Sequence, residues 1–243
     1  MKSWKDNISF ILIEPREPGN IGASARAMKN MGFKNLELVT PGYFFTSKAK
    51  QMACQGVTIL ENAMVHKSFT DAIKYKNLII GTTRRLGRRR GLIVPLKESV
   101  KRIIAAAKKN KVAILFGRER NGLTNKEVEK CGLLITIPAD PETPSLNLAQ
   151  SVLLVAYELS HKTYKTEAPV LAKHEELETL YKHINSVLNL LEYPPNLSTL
   201  PCRSDVSGSS LFSSQGLCCP WEGTQGGLGL NLYVCKGFQV LHA

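Results

Sequence analysis

From its amino end the chain alternates short apolar runs with segments of helical period. Ile8–Ile13 (ISFILI) is apolar with no regular polar face, the pattern of a strand covered on both sides of a sheet. After the loop EPREPGN, Ile21, Ala25 and Met28 recur at helical spacing and Gly32 supplies a stop. The same reading predicts strands over residues 36–39, 77–80, 112–116 and 133–137. It predicts helices over 48–54, 97–109, 124–130 with Thr124 as cap, and 146–161. Strands and helices alternate, so the expected class is α/β, a parallel sheet with helices on both faces. The main domain is assigned to residues 1–163 and a linker to 164–170. Leu177, Leu180, Tyr181, Ile184, Leu188 and Leu191 then return at three- and four-residue steps, an amphipathic helix opening a small helical module over 171–192. Residues 193–243 lose all period and are expected to form an atypical, poorly ordered tail; the abrupt change equally suits a divergent or frame-shifted end.

Composition sharpens this in three ways. A chain of 243 residues can bury a core without disulfide staples and holds one main domain plus an appendage. The formal charge is +12, and because Arg203, Asp205, Glu222 and Lys236 cancel after Tyr193, the whole excess belongs to the first 192 residues. A basic domain of this kind attracts polyanions, RNA or DNA first. No run approaches the roughly 18 apolar residues of a membrane span, and the amino terminus does not read as a signal peptide. Of six cysteines only Cys54 and Cys131 precede the tail, which fits a reducing cytoplasm. Cys202, Cys218, Cys219, Cys235 and His242 contain no CxxC pair, and no metal site is expected.

Candidate chemistry sits where strands end in polar loops. The first group is Glu14, Asn20, Gly22 and Arg26, with Asn20 at or near a helix N-cap and Gly22 allowing close approach of a ligand. The second is the stretch FGRERNGLT from Phe116 to Thr124. The third comprises IPAD, from Ile137, and PSLNLAQ, from Pro144, in which Ser145 can cap a helix. Ligands bind at the carboxyl ends of strands in such sheets. Arg84, Arg85, Arg88, Arg89 and Arg90 form the densest positive run, a solvated loop or an RNA-backbone contact.

The stretches NIGASARAMKNMG, LFGRERNGLTNKE and IPADPETPSLNLAQS resemble, in order and spacing, the three motifs of SpoU-type methyltransferases of the SPOUT superfamily. The likeness is greatest to the TrmJ-like branch, which methylates the ribose at anticodon-loop position 32 of tRNA. The resemblance implies a deep trefoil knot in the carboxyl-terminal part of the sheet, a homodimer that completes the site, and S-adenosylmethionine as cofactor. By position, Thr82, Thr83, Arg84, Gly117, Ile137, Pro144, Ser145 and Leu146 would contact the cofactor. Arg26 would carry catalysis, helped by Asn20, Glu119, Ser145 and Asn147. Arginine rarely yields its proton, so Arg26 is read as holding the phosphate beside the target ribose and orienting the hydroxyl. Three other readings stand beside this one: methylation of ribosomal RNA, a noncatalytic RNA-binding homologue, and a binder of a phosphorylated small molecule at the Asn20 helix terminus.

Overall fold

The computed structural model describes residues 3–85, 93–161 and 169–190. Arg88, Arg89 and Arg90, most of the expected linker and the whole tail lie outside them.

Seven strands form one sheet in the order β3-β2-β1-β6-β4-β7-β5, every pair parallel. They are β1 (Ile8–Ile13), β2 (Asn35–Val39), β3 (Met64–His66), β4 (Leu78–Thr82), β5 (Ile93–Pro95), β6 (Val112–Phe116) and β7 (Leu133–Thr136). β1 and β6 lie in the middle and are buried along their whole length, which explains their unbroken apolar sequences. Side chains alternate between faces. Phe10 and Leu12 join one cluster, under helices α1 (Pro18–Asn30), α5 (Leu96–Ala107) and α7 (Leu148–Ser160). Ile11 and Ile13 join the other, under α4 (Phe69–Ile73) and α6 (Asn125–Glu129). Two further helices, α2 (Ser47–Ala53) and α3 (Val57–Glu61), pack against α1.

The α/β architecture with helices on both faces agrees with the sequence reading. Four short elements were not anticipated. β3 and β5 have three residues each and lie at the two sheet edges, too short for a period; Pro95 is tolerated there because an edge strand needs fewer donors. α3 and α4 have five residues each, little more than a turn.

The amino edge of the sheet is closed by asparagines. Asn7 Nδ2 donates to the carbonyl of Ala107 at 2.9 Å, and Asn35 Nδ2 to the carbonyl of Asp6 at 2.9 Å. Asn77 Nδ2 donates to Leu171 O at 2.7 Å, while Asn110 donates to Pro169 O at 2.6 Å and accepts from Leu171 N at 2.8 Å. These bonds fasten the segment leading into α8 (His174–Leu190) beneath β4 and β6, and Lys74–Glu175 and Lys130–Glu178 ion pairs of 3.1 and 2.7 Å hold the helix start. Inside the sheet, buried Glu37 accepts from Lys76 Nζ at 2.5 Å and pairs with His66 Nε2 at 2.9 Å, while Lys76 also donates to Ser9 Oγ.

Candidate active site

The carboxyl ends of β4, β6 and β7 open onto one pocket, whose walls come from the loops after them and the start of α7. Thr82, Thr83, Arg84, Gly117, Ile137, Pro144, Ser145 and Leu146, assigned to a cofactor by resemblance, all line it. Glu119 lines it too, together with Arg85, Arg118, Arg120 and Asn121. Asn20 and Asn147 do not line it: Asn20 donates to Glu119, and Asn147 donates to Asn20. Arg26 does not line the pocket: it is exposed on α1, and among the described residues it makes no hydrogen bond or ion pair.

Gly117 permits the loop after β6 to fold back on itself, since a Cβ there would lie 2.2 Å from the backbone of Gly122. The turn is closed by Gly122 N donating to Arg118 O at 2.8 Å. Arg118 is then clamped between two carboxylates. Its Nε donates to Glu14 Oε2 at 2.9 Å and its Nη1 to Glu127 Oε2 at 3.1 Å, with Nη2 reaching the other oxygen of each. The bond from Arg118 holds the Glu14 carboxyl below its ordinary value of 4.5. In return Glu14 foremost, then Glu127, raise the proton affinity of the guanidinium against the opposing effect of burial. Glu14 also adopts φ of 43°, a conformation that non-glycine residues hold only where their surroundings enforce it. Sequence reasoning put Glu14 in the site but missed the clamp; an acidic residue at the end of one central strand and an arginine just past the end of its neighbour were the available signal.

Glu119 faces α1. Its carboxylate accepts from Arg16 N, Glu17 N and Asn20 Nδ2, all at 3.4 Å. The N-cap of α1 is Glu17, which makes no side-chain cap bond, so Glu119 from a distant loop satisfies donors at this helix start. Asn20 is therefore not the cap: it lies in the first turn, with Pro18 as the opening residue. Its Oδ1 accepts from Asn147 Nδ2 at 3.0 Å, and Asn147 Oδ1 accepts from Ala149 N at 2.8 Å. Asn147 caps α7 in a box with Gln150, so α7 starts two residues later than the sequence suggested, and Ser145 is released from capping into the pocket. Gly22 also has another purpose than ligand approach. A Cβ there would lie 2.1 Å from Ala49 O, so Gly22 admits α2 against α1.

The pocket combines apolar walls from Leu123, Ile137 and Leu146 with the charge of Glu119 and the rim arginines 84, 85 and 120. A ligand that joins an apolar part to a charged group fits such a lining. Among the described residues no cluster of His, Cys, Asp and Glu could hold a metal ion, and no helix is long and apolar enough to cross a membrane. Cys131 is no nucleophile, because burial pushes its thiol up to about 12.

Comparison with known proteins gives a consistent picture. Residues 7–157 match the profile described as the SpoU rRNA Methylase family. A protein of Haemophilus influenzae named as an uncharacterized tRNA/rRNA methyltransferase is 43% identical over 154 residues, 63% of this chain and 63% of that protein, so the match spans under two thirds of that relative. The tRNA (cytidine/uridine-2′-O-)-methyltransferase TrmJ of Photorhabdus laumondii is 37% identical over 195 residues, 76% of this chain and 80% of its own. The crystal structure of TrmJ from Z. mobilis superposes with a TM-score of 0.65 at 35% identity, over 75% of this chain and 80% of that one.

Proposed function

The chain belongs to the SpoU rRNA methylase family, and from that premise we propose that it transfers the methyl group of S-adenosylmethionine to a ribose 2′-hydroxyl of RNA. Its substrate on this reading is tRNA, at anticodon-loop position 32, in the cytoplasm. The observation that carries the reading is the convergence of three sequence-distant loops on one pocket, tied together by the Glu119–Asn20–Asn147 chain of bonds.

The cofactor supplies an activated methyl on a sulfonium, so the chain's own tasks are positioning and help with proton loss. Ile137, Leu146 and Leu123, with the backbone around Gly117 and Pro144, would hold the cofactor, in loops that the family threads into a trefoil knot. Ser145 and Glu119 face the reacting end. Asn20 and Asn147 hold Glu119 in place rather than touching the reacting atoms. Arg26 binds the phosphate beside the target ribose and orients the hydroxyl. Because Arg26 stands outside the pocket of its own chain, a second copy delivers it, and the exposed Leu153, Leu154 and Tyr157 on α7 supply an apolar face for that homodimer. Arg84 and Arg85 on the rim, continued by Arg88, Arg89 and Arg90, contact the RNA backbone.

The test is transfer of labelled methyl from S-adenosylmethionine to unmodified tRNA, with ribosomal RNA in parallel and the product nucleotide mapped. Label on a ribose of the anticodon loop is the expected outcome. Label only on ribosomal RNA moves the substrate, and cofactor binding without label on either leaves a noncatalytic RNA binder. Near-wild-type turnover by Arg26→Lys would exclude any special demand for a guanidinium.

A further inference from the structure

The loop joining β2 to α2, PGYFFTSK, carries three aromatic residues in a row that the catalytic reading does not use. Two of them turn inward. Phe44 and Phe45 pack against the main core, with ring centroids 6.4 Å apart, edge to face. Tyr43 turns outward and is 83% exposed, as exposed as any large apolar side chain among the described residues.

An aromatic ring held in water on a loose loop would mean little, but this one has a fixed base. Thr46 caps α2 by accepting from Ala49 N at 3.1 Å, so the chain is pinned three residues after Tyr43. Lys50 Nζ lies 4.2 Å from the centre of the Phe45 ring. α2 is pressed onto α1 at Gly22 and Gly19, and the Lys48 stem crosses Gly19 to bring its ammonium 3.5 Å from Glu17. That ion pair is exposed on both sides, so it holds Lys48 only weakly and leaves it able to exchange its partner for a phosphate.

Position completes the case. Residues 40–46 leave the carboxyl end of β2, the sheet edge that also carries the pocket, one strand beyond β1. Lys48 and Lys50, five and seven residues after Tyr43, are exposed on α2, and the Lys50 ammonium sits over the ring of Phe45, two residues after Tyr43. A ring that is pinned at its base, exposed, and followed on α2 by two exposed lysines is an arrangement that receives an unpaired base while the adjoining phosphates are neutralised.

We infer that Tyr43 is a stacking platform for an unpaired nucleobase of the RNA substrate, with Lys48 and Lys50 holding the adjoining phosphates. This rests on the RNA-methyltransferase reading and adds to it a binding residue outside the pocket. A stacked base holds the RNA without touching the reacting atoms, so its loss acts on affinity and leaves the chemical step alone.

The experiment compares wild type with Tyr43→Ala and Tyr43→Phe on unmodified tRNA transcripts, measuring RNA affinity at several salt concentrations, turnover at saturating RNA, and S-adenosylhomocysteine affinity. Tyr43→Ala should weaken RNA binding roughly 5- to 150-fold with an unchanged salt slope, because a ring and no charge is removed. Turnover at saturation and S-adenosylhomocysteine affinity should stay at wild-type values, and Tyr43→Phe should restore RNA affinity. An Ala variant that binds within about twofold of wild type, or a Phe variant as weak as Ala, overturns the platform. A wild-type chain that binds no RNA overturns this inference together with the reading beneath it; an active wild type indifferent to Tyr43 overturns this inference alone.

Discussion

The amino and carboxyl ends of the strands, the amino and carboxyl edges of the sheet, both gather asparagines and charged side chains, yet they employ them in opposite ways. At the amino edge Asn7, Asn35, Asn77 and Asn110 donate to backbone carbonyls, and above them, largely buried within the sheet, Lys76 donates to Ser9 and Glu37 while Glu37 pairs with His66. At the carboxyl edge Asn147 donates to Asn20 and Asn20 to Glu119, and the carboxylate at the end of this chain lines an open pocket. The residue types hardly differ. Polar groups that satisfy the chain itself make a seam, whereas polar groups that satisfy one another beside a cavity hold a surface in readiness for something else.

The largest expected effect belongs to the seam. Lys76→Met leaves Glu37 buried without its main partner and should cost about 3–5 kcal/mol in urea unfolding, with methyl transfer per folded molecule preserved. The double variant Lys76→Met/Glu37→Leu should cost less than the single one; equal costs would show that the stranded charge is not the cause. Next comes the clamp at the other edge. Arg118→Met strands buried Glu127 and should cost about 2–3 kcal/mol, and methyl transfer should fall as well, because the loop carrying Glu119 loses its anchor. Acid titration sharpens this. Since Glu14 has a lowered value when folded, its contribution is complete above 4.5 and is lost as pH falls through the lower folded value, so wild type should lose its advantage over Arg118→Met below that range. The smallest effect separates the edges best. Asn110→Ala and Asn147→Ala should each cost about 1 kcal/mol, the first by freeing the segment before α8 and the second by removing a cap. Only Asn147→Ala should slow methyl transfer at saturating RNA; equal kinetics for both would erase the distinction between the edges.

Much of this was legible in the sequence, for reasons that differ by residue. The central strands could be read because burial on both faces forces long apolar runs such as Ile8–Ile13 and Val112–Phe116. The pocket residues were reached through motif likeness, since nothing in the spacing of Thr82, Gly117 and Ile137 says that parallel strands bring them together. Helix starts were misread where capping is nonlocal: α1 is served by Glu119, which lies about a hundred residues away and leaves no mark near Asn20. Ser145 looked like a cap because serine is one of the residues that cap, and only the competing Asn147 with Gln150 displaces it. The role of Gly22 was hidden because a close approach to a ligand and a close approach to a helix demand the same missing side chain.

The bonds that run from Glu119 through Asn20 to Asn147 have a direction. A carboxylate can only accept, which turns the Asn20 amide one way, which in turn decides the orientation of the amide at Asn147 and through it the cap of α7. Three positions far apart in the text of the gene are thereby not free to vary one at a time. Aspartate at 147 would set oxygen against oxygen at Asn20, while glutamine at 119 could donate to a reversed Asn20, whose amide would then donate to a later aspartate at 147. The order in which changes arrive, and not their number, then decides which descendants of this protein still fold a working pocket.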